Sequence, residues 1–190
     1  MSNRSSSLRV ESLDEATLVA SAAGGDRLAF DELVRRHQQE VYTLAVRLLG
    51  NHEMAADVTQ DALIRAWRHL GTFRGDAAFS TWLYRITVNT AWSARHRARR
   101  LATTDIDQVE HELPGIDHVG MAGEAMRVRE AFRRALGELT PGARSVVVLK
   151  DVYGWSHAEV ADSLGISVTA AKVRLHRARG ALQRLLEDER

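Results

Sequence analysis

Two prolines, Pro114 and Pro141, are all that this chain of 190 residues contains, and the long stretches they leave unbroken repeat apolar residues every three or four positions. The expected fold class is therefore all-α. Apolar residues make up 45% of the chain, which permits ordinary buried cores in one mid-sized domain or two small ones. With no cysteine, neither disulfides nor thiolate metal sites are available, as suits a reducing cytosol. The N-terminal MSNRSSSLRVESLDEA lacks the apolar run of a signal peptide, and no apolar stretch of membrane-spanning length follows. A cytoplasmic protein without membrane insertion is expected.

The periodicity places the helices. Ser12 and Glu15 fit a capping box for a short helix from Leu13 that ends at Gly24-Gly25. Asp26 caps a long amphipathic helix carrying Phe30, Leu33, Val34, Val41, Leu44 and Leu48, stopped by Gly50-Asn51. A third helix, residues 54–70, turns Val58, Ala62, Leu63, Ala66, Trp67 and Leu70 to one face and Asp57, Gln60, Asp61, Arg65 and Arg68 to the other. Ile64 falls inside the polar face. On the wheel alone it reads as one more exposed apolar residue, although its charged ring would also suit the centre of a protein-binding patch. Glu53, Asp57 and Asp61 line up one turn apart but lack the further ligands a metal would need, so no metal or other cofactor is expected.

Residues 73–100, FRGDAAFSTWLYRITVNTAWSARHRARR, are the least core-like part of the chain. Ser80 is the expected N-cap of a helix over 81–97, with Trp82, Ile86 and Asn89 along one side. Trp82 and Leu83 read as core. The loop 73–79, comprising Phe73, Arg74, Gly75, Asp76, Ala77 and Phe79, together with Asn89, is placed to wall a small pocket. Arg95, Arg97, Arg99 and Arg100 follow as a cationic run. Aromatic surface leading into clustered cations suits nucleic-acid bases and phosphates together.

Residues 101–123 carry five carboxylates, the Pro114-Gly115 break and no sustained apolar period, which is a flexible linker spanning about 25 Å as a coil. Beyond it, Met126, Val128, Phe132, Leu136 and Leu139 support a helix. Thr140-Pro141 opens the next, which runs through Val146–Leu149 to Gly154. Ser156 and Glu159 form a second capping box, Gly165 makes a tight turn, and Ser167 caps a last helix: the grammar of a helix-turn-helix. In that last helix Val168, Ala171, Leu175, Ala178 and Leu182 share one face. Thr169, Lys172, Val173, His176 and Arg177 project from the other, with Arg179 on the flank, as residues that read base edges and grip phosphates would. Lys+Arg of 26 against Asp+Glu of 25 leaves a net charge of only +1, so any DNA binding comes from local patches.

Taken in order, FDELVRRHQQEVYTLAVRLLGN, DVTQDALIRAWRHL, FRGDAAFSTWLYRITVNTA, LTPGARSVVVLKDVYGWSHAEVADSLGIS and VRLHRARGAL make the chain resemble an extracytoplasmic-function (ECF, group IV) sigma factor of bacterial RNA polymerase, in the sigma-70 family. The resemblance implies two small helical domains, at 13–100 and 124–190, after a disordered tail over 1–12. It implies that Asp57, Gln60, Asp61, Ile64 and Arg68 dock on the β′ clamp coiled coil of the polymerase, which makes Ile64 a contact residue after all. The loop 73–79 with Asn89 would capture an unpaired −10 base, Arg95, Arg97, Arg99 and Arg100 would hold phosphates, and the last helix would read the −35 element. Thr169-Ala170-Ala171 stands where many relatives carry Gly-Thr-Val, and Val173 where a small hydroxyl residue is frequent, which bears on the −35 sequence read. Further implied partners are the β flap, promoter DNA and an anti-sigma factor; no homo-oligomer is required. The competing reading is a stand-alone helix-turn-helix repressor or activator whose N-terminal half dimerises. An enzyme is not expected, because no nucleophile, base and oxyanion set stands out.

Overall fold

The computed structural model describes residues 12–101 and 123–188, in which every regular element is a helix. The expected N-terminal tail, apart from Ser12, and most of the expected linker lie outside the described residues. Two compact units emerge, one from residues up to 45 with 56–90, the other from 46–55 with 91 onward. Among the described residues no helix is long and apolar enough to cross a membrane, and no group of His, Asp or Glu could hold a metal ion.

The first unit begins with α1 (Glu15–Ala23). Its cap is Asp14 rather than Ser12: Asp14 Oδ1 accepts the Thr17 amide at 2.7 Å, and these hydrogen bonds hold the carboxyl below its ordinary pKa. A carboxylate both accepts from the free amides and meets the positive end of the helix dipole, which favours it over the hydroxyl two residues earlier. Helix α2 (Arg27–Leu49) is capped by Asp26 as expected, with the Leu28 amide donating to it at 2.9 Å. Asn51 then caps α3 (His52–His69) through the Met54 amide at 2.8 Å. Helix α4 (Phe79–Leu101) starts earlier and ends later than expected, so Ser80 sits inside its first turn.

Leu18, Ala22, Ala29, Leu33, Val41, Ala62, Ala66, Leu70, Phe79 and Leu83 form one buried cluster in this unit. Beside it, Glu32 is only 5% exposed, and its carboxylate accepts from Arg35 Nε at 2.7 Å, Arg35 Nη2 at 2.8 Å and Arg36 Nε at 2.6 Å. Arg36 Nη2 also donates to the Leu13 carbonyl at 3.0 Å, tying α2 to the chain leading into α1. The Arg35 hydrogen bonds, opposed by burial and aided by Arg36, bring Glu32 down to about 2 from 4.5. A depressed carboxylate stabilises the folded form above pH 4.5, and that contribution fades as the pH falls through 4.5 towards 2. At ~1.4 kcal/mol per unit it amounts to up to about 3 kcal/mol. Acid titration monitored by circular dichroism is expected to show Glu32→Gln already weakened at pH 7 and flatter than wild type between pH 5 and 2.

The second unit contains α5 (Gly123–Glu138), α6 (Pro141–Val147), α7 (His157–Leu164) and α8 (Val168–Asp188), with α8 packed against the other three. Pro141 occupies the first turn of α6, where a missing amide hydrogen costs nothing, although the Thr140 side chain makes no capping bond. The expected helix to Gly154 instead ends in a π-turn over Val148–Val152. Its wide step, with the Tyr153 amide bonded to the Val148 carbonyl at 3.1 Å, lets Val148, Leu149 and Trp155 all be buried. Ala135, Leu136, Leu139, Val146, Val160, Ala161, Ala171, Leu175, Ala178 and Leu182 complete the core. Met126, Val128 and Val168, which periodicity assigns to the inside, are 54%, 64% and 42% exposed. All three lie in the opening turns of their helices, before the buried stripe begins.

Arg144 is fully buried in this unit. Its Nε donates to the Leu136 carbonyl at 2.8 Å and its Nη2 to the carbonyls of Gly137 at 2.6 Å and Leu139 at 3.3 Å. One side chain thus engages two carbonyls in the last turn of α5, Leu136 and Gly137, and that of Leu139 just beyond it. Burial, with the charge of Arg95, lowers its pKa to about 10 against the raising effect of Glu138, so it is a cation at neutral pH.

Candidate nucleic-acid interface

The loop before α4 is shaped by three local devices. A 3₁₀ turn over Leu70–Thr72 ends α3, with Thr72 Oγ1 donating to the His69 carbonyl at 2.7 Å. Gly75 then turns the chain with φ 75°, a left-handed conformation that side chains with a Cβ resist. Finally Phe79 anchors the loop's end: it is 4% exposed, with the His37 ring edge-on at 5.3 Å. This corrects the expectation for Phe79, whose ring is core and has no free face for a base. Packing against α2 and α3 claims it because it opens α4 on the buried side.

The exposed part of the loop is Arg74, Gly75, Asp76 and Ala78, with Phe73 and Ala77 half-buried. Phe73 meets Phe79 edge-on at 6.1 Å and lies tilted on Trp82 at 5.2 Å, so the three aromatics form one cluster in which Phe73 and Trp82 are the half-buried members. Trp82, expected in the core, is only half-buried. Asn89 is exposed, and follows Trp82 and Ile86 along one face of α4. It stands about 10 Å beyond Trp82 along the helix. Trp82 and Asn89 therefore share a face of α4 at different heights.

The cationic run separates into classes. Arg97 and Arg100 are exposed, Arg95 is half-buried, and the side chain of Arg99 lies outside the described ones. Interleaved with the exposed pair are Ser93 and His96, also exposed, which residue-type reasoning passed over in favour of the arginines.

On α3, Asp57, Gln60, Asp61 and Arg68 are all exposed around Ile64, which is 42% exposed. Val58, Ala62 and Ala66 are buried on the opposite side, as the helical wheel requires.

The turn between α7 and α8 has the expected construction. The Ser156 hydroxyl accepts the Glu159 amide at 3.1 Å while Glu159 Oε2 accepts the Ser156 amide at 2.9 Å. Gly165 closes α7 at φ 62° and ψ 36°, and the Ser167 hydroxyl accepts the Ala170 amide at 3.1 Å to start α8. This presents Thr169, Lys172, Val173, His176 and Arg177 to solvent, while Ala171, Leu175 and Ala178 are buried. Arg179 differs. Two of its nitrogens donate to Asp151, Nε to Oδ2 at 3.0 Å and Nη2 to Oδ1, and these bonds raise its pKa above the ordinary arginine value. It is expected at the DNA but is occupied in joining the π-turn to α8. Arg174, which the wheel leaves unassigned, is half-buried against Gly142, whose missing Cβ would lie 3.2 Å from Arg174 Nη1.

Comparison with known proteins accounts for both halves. The family model of Sigma-70 region 2 matches residues 33–101 and that of Sigma-70, region 4 matches residues 129–182. The ECF RNA polymerase sigma factor SigM of Mycobacterium tuberculosis H37Rv is 39% identical over 172 residues, covering 90% of this chain and 84% of that protein. The ECF RNA polymerase sigma-E factor of Escherichia coli K12 is 34% identical over 180 residues, covering 90% of this chain and 94% of its own. Among solved structures, CnrH in complex with the cytosolic domain of CnrY aligns with TM-score 0.57 and 33% identity over 92% of this chain and 97% of CnrH. The sigma factor RpoE in complex with the anti-sigma factor NepR from Bartonella quintana aligns with TM-score 0.65 and 26% identity, over 85% and 98%. With both regions matched in order and relatives aligned over most of their length, the chain belongs to the ECF RNA polymerase sigma factors, the initiation factors that direct the polymerase to promoters.

Proposed function

We propose that the sigma-factor activity is divided among the exposed surfaces as follows. The α3 face centred on Ile64, with Asp57, Gln60, Asp61 and Arg68, holds the β′ clamp coiled coil of core polymerase. The 73–79 loop, backed by Phe73 and Trp82, receives an unpaired base of the −10 element, Asn89 reads a base edge, and Arg97 and Arg100 hold phosphates. The α8 row Thr169, Lys172, Val173, His176 and Arg177 enters the major groove at the −35 element. The domains run 13–100 and 124–190, joined by the acidic segment 101–123, and the second contacts the β flap. The protein acts in the cytoplasm without catalysing a reaction of its own, and it is held inactive by an anti-sigma factor, as the assemblies of CnrH and RpoE suggest by analogy.

The observation that carries this reading is the α8 row, exposed directly behind a fully capped helix-turn-helix. A stand-alone repressor would use that row equally well, but it leaves the Sigma-70 region 2 match over residues 33–101 without a purpose. Run-off transcription separates the two. Purified protein with core polymerase is expected to start transcripts from discrete promoters in a genomic promoter pool, while the protein alone binds those fragments weakly. An active core enzyme that yields no promoter-dependent transcript would overturn the proposal.

A further inference from the structure

Behind the aromatic cluster of the 73–79 loop lies a buried imidazole. His37, midway along α2, is 8% exposed, and its Nε2 stands 2.8 Å from Oε2 of Glu15, the first residue of α1. A carboxylate oxygen only accepts, so Nε2 carries the proton and donates it. The other ring nitrogen, Nδ1, is buried without a hydrogen-bond partner among the described residues. Glu40 Oε2 is 3.8 Å from it, too far for a hydrogen bond, and instead accepts from the Tyr84 hydroxyl of α4 at 2.5 Å.

A ring held at one nitrogen with the other left dry is a costly way to fill space. A phenylalanine or leucine would pack there without burying an unsatisfied acceptor. What the imidazole adds is one directed bond, made to a residue 22 positions away in sequence. That bond bears on the loop, because the His37 ring meets Phe79 edge-on at 5.3 Å. Phe79 in turn meets Phe73 at 6.1 Å and Trp82 at 5.7 Å. Direct contacts therefore run from α1 through Glu15, His37 and Phe79 to the two half-buried aromatics beside the loop. Close-packed interiors transmit small displacements, so a ring fixed at His37 fixes the ring against it.

We propose that His37 is a positioning residue for promoter opening: tied to α1 by Glu15, it holds Phe79, and through Phe79 it sets Phe73 and Trp82 where the loop takes up an unpaired base. His37 needs no contact with DNA or polymerase for this. The role rests on the function proposed above for the 73–79 loop and deepens it, since it makes α1 a support of the base-receiving wall.

The test uses the full chain assembled with core polymerase, on a promoter selected from random DNA by the wild-type holoenzyme and carrying 2-aminopurine in the −10 element, which brightens as bases unstack. His37→Phe keeps an aromatic ring against Phe79 but loses the bond. Glu15→Ala loses the same bond from its half-exposed end, outside the core. Each is expected to slow opening about fivefold, the size of one hydrogen bond. The double variant is expected to stay near fivefold rather than reach about 25-fold, because both substitutions delete one interaction. His37→Gln, which keeps an N–H donor for Glu15, is expected to recover most of the rate. Affinities for core polymerase and for the closed duplex promoter are expected to stay within about twofold of wild type, which separates positioning from a general loss of folded protein.

Opening at the wild-type rate in both single variants would overturn the positioning role while the sigma reading stands. Effects that multiply would show two unrelated contributions and overturn the tie. Core affinity, duplex binding and opening that fall together, in step with a lower thermal midpoint, would reduce His37 to a packing residue and also overturn it. Trp82→Ala, at the wall itself, is expected to slow opening at least as much as His37→Phe. Normal opening in that variant would sink the loop reading, and the role of His37 with it.

Discussion

Replacing Arg144 with methionine is expected to destabilise the second unit by about 3 kcal/mol, a large share of the roughly 5–15 kcal/mol that holds a domain together. Methionine fills much of the same volume and removes the cost of burying a cation, so packing and desolvation do not drive the effect. What is lost is the donor set. The carbonyls of Leu136, Gly137 and Leu139 share this one guanidinium, and two of the three bonds lie in the buried interior. An unsatisfied buried acceptor costs about 1–3 kcal/mol. The Leu136 carbonyl keeps the Leu139 amide at 3.3 Å, so the loss falls mainly on the buried Leu139 and part-buried Gly137 carbonyls, and it outweighs the relief of neutralising the site. Arg144→Lys is expected to recover little, because an ammonium on a flexible stem cannot fork across three acceptors. Urea denaturation followed through Trp155, buried in the same unit, gives the measurement. A midpoint for either variant within experimental error of wild type would show that α5 ends without needing Arg144.

The second large effect is expected on polymerase binding. Ile64→Asp should weaken the affinity for core polymerase at least 30-fold, the equivalent of about 2 kcal/mol at the centre of an interface. Asp57→Ala and Arg68→Ala at the rim should each change it only a few fold, and in a salt-dependent way. Ile64 is exposed, so the substitution leaves the buried face of α3 intact and its thermal midpoint is expected to stay near wild type. Titration of labelled protein with core polymerase would decide it. An Ile64→Asp affinity within twofold of wild type would return Ile64 to the class of isolated surface apolar residues.

Much of this architecture was legible from residue pattern because its devices are local. Asp26, Pro141, the Ser156–Glu159 pair, Gly165 and Ser167 act on groups within a few residues, and all five stand where the sequence places them. Similarly, the outward row of α8 follows from helical geometry alone. What escaped depends on partners distant in sequence. Phe79 looked like a free aromatic because nothing near it reveals that His37 and the Leu18–Leu83 cluster enclose it. Arg179 looked available because Asp151 is 28 residues away, brought into reach only by a π-turn that no composition signals. Ile64 shows the opposite case. Its exposure is evident on the wheel, but a wheel shows which face is bare and not what covers it, and the polymerase contact proposed for Ile64 rests on the family resemblance.

The length of α4 sets a scale for whatever lies along it. Asn89 and Arg100 are on one unbroken helix, eleven residues or about 16 Å apart. Nucleotides in a stacked strand advance by about 3.4 Å, so the roles proposed for Asn89 and Arg100 would set a base contact and a phosphate contact roughly five nucleotides apart. A ruler of this kind has no joint. Inserting one residue between Asn89 and Ser93 would lengthen it only slightly but would rotate everything beyond by 100°, turning the cations off the face that Asn89 occupies. The phase of the helix, more than its charge, fixes which side of α4 the C-terminal cations occupy relative to Asn89.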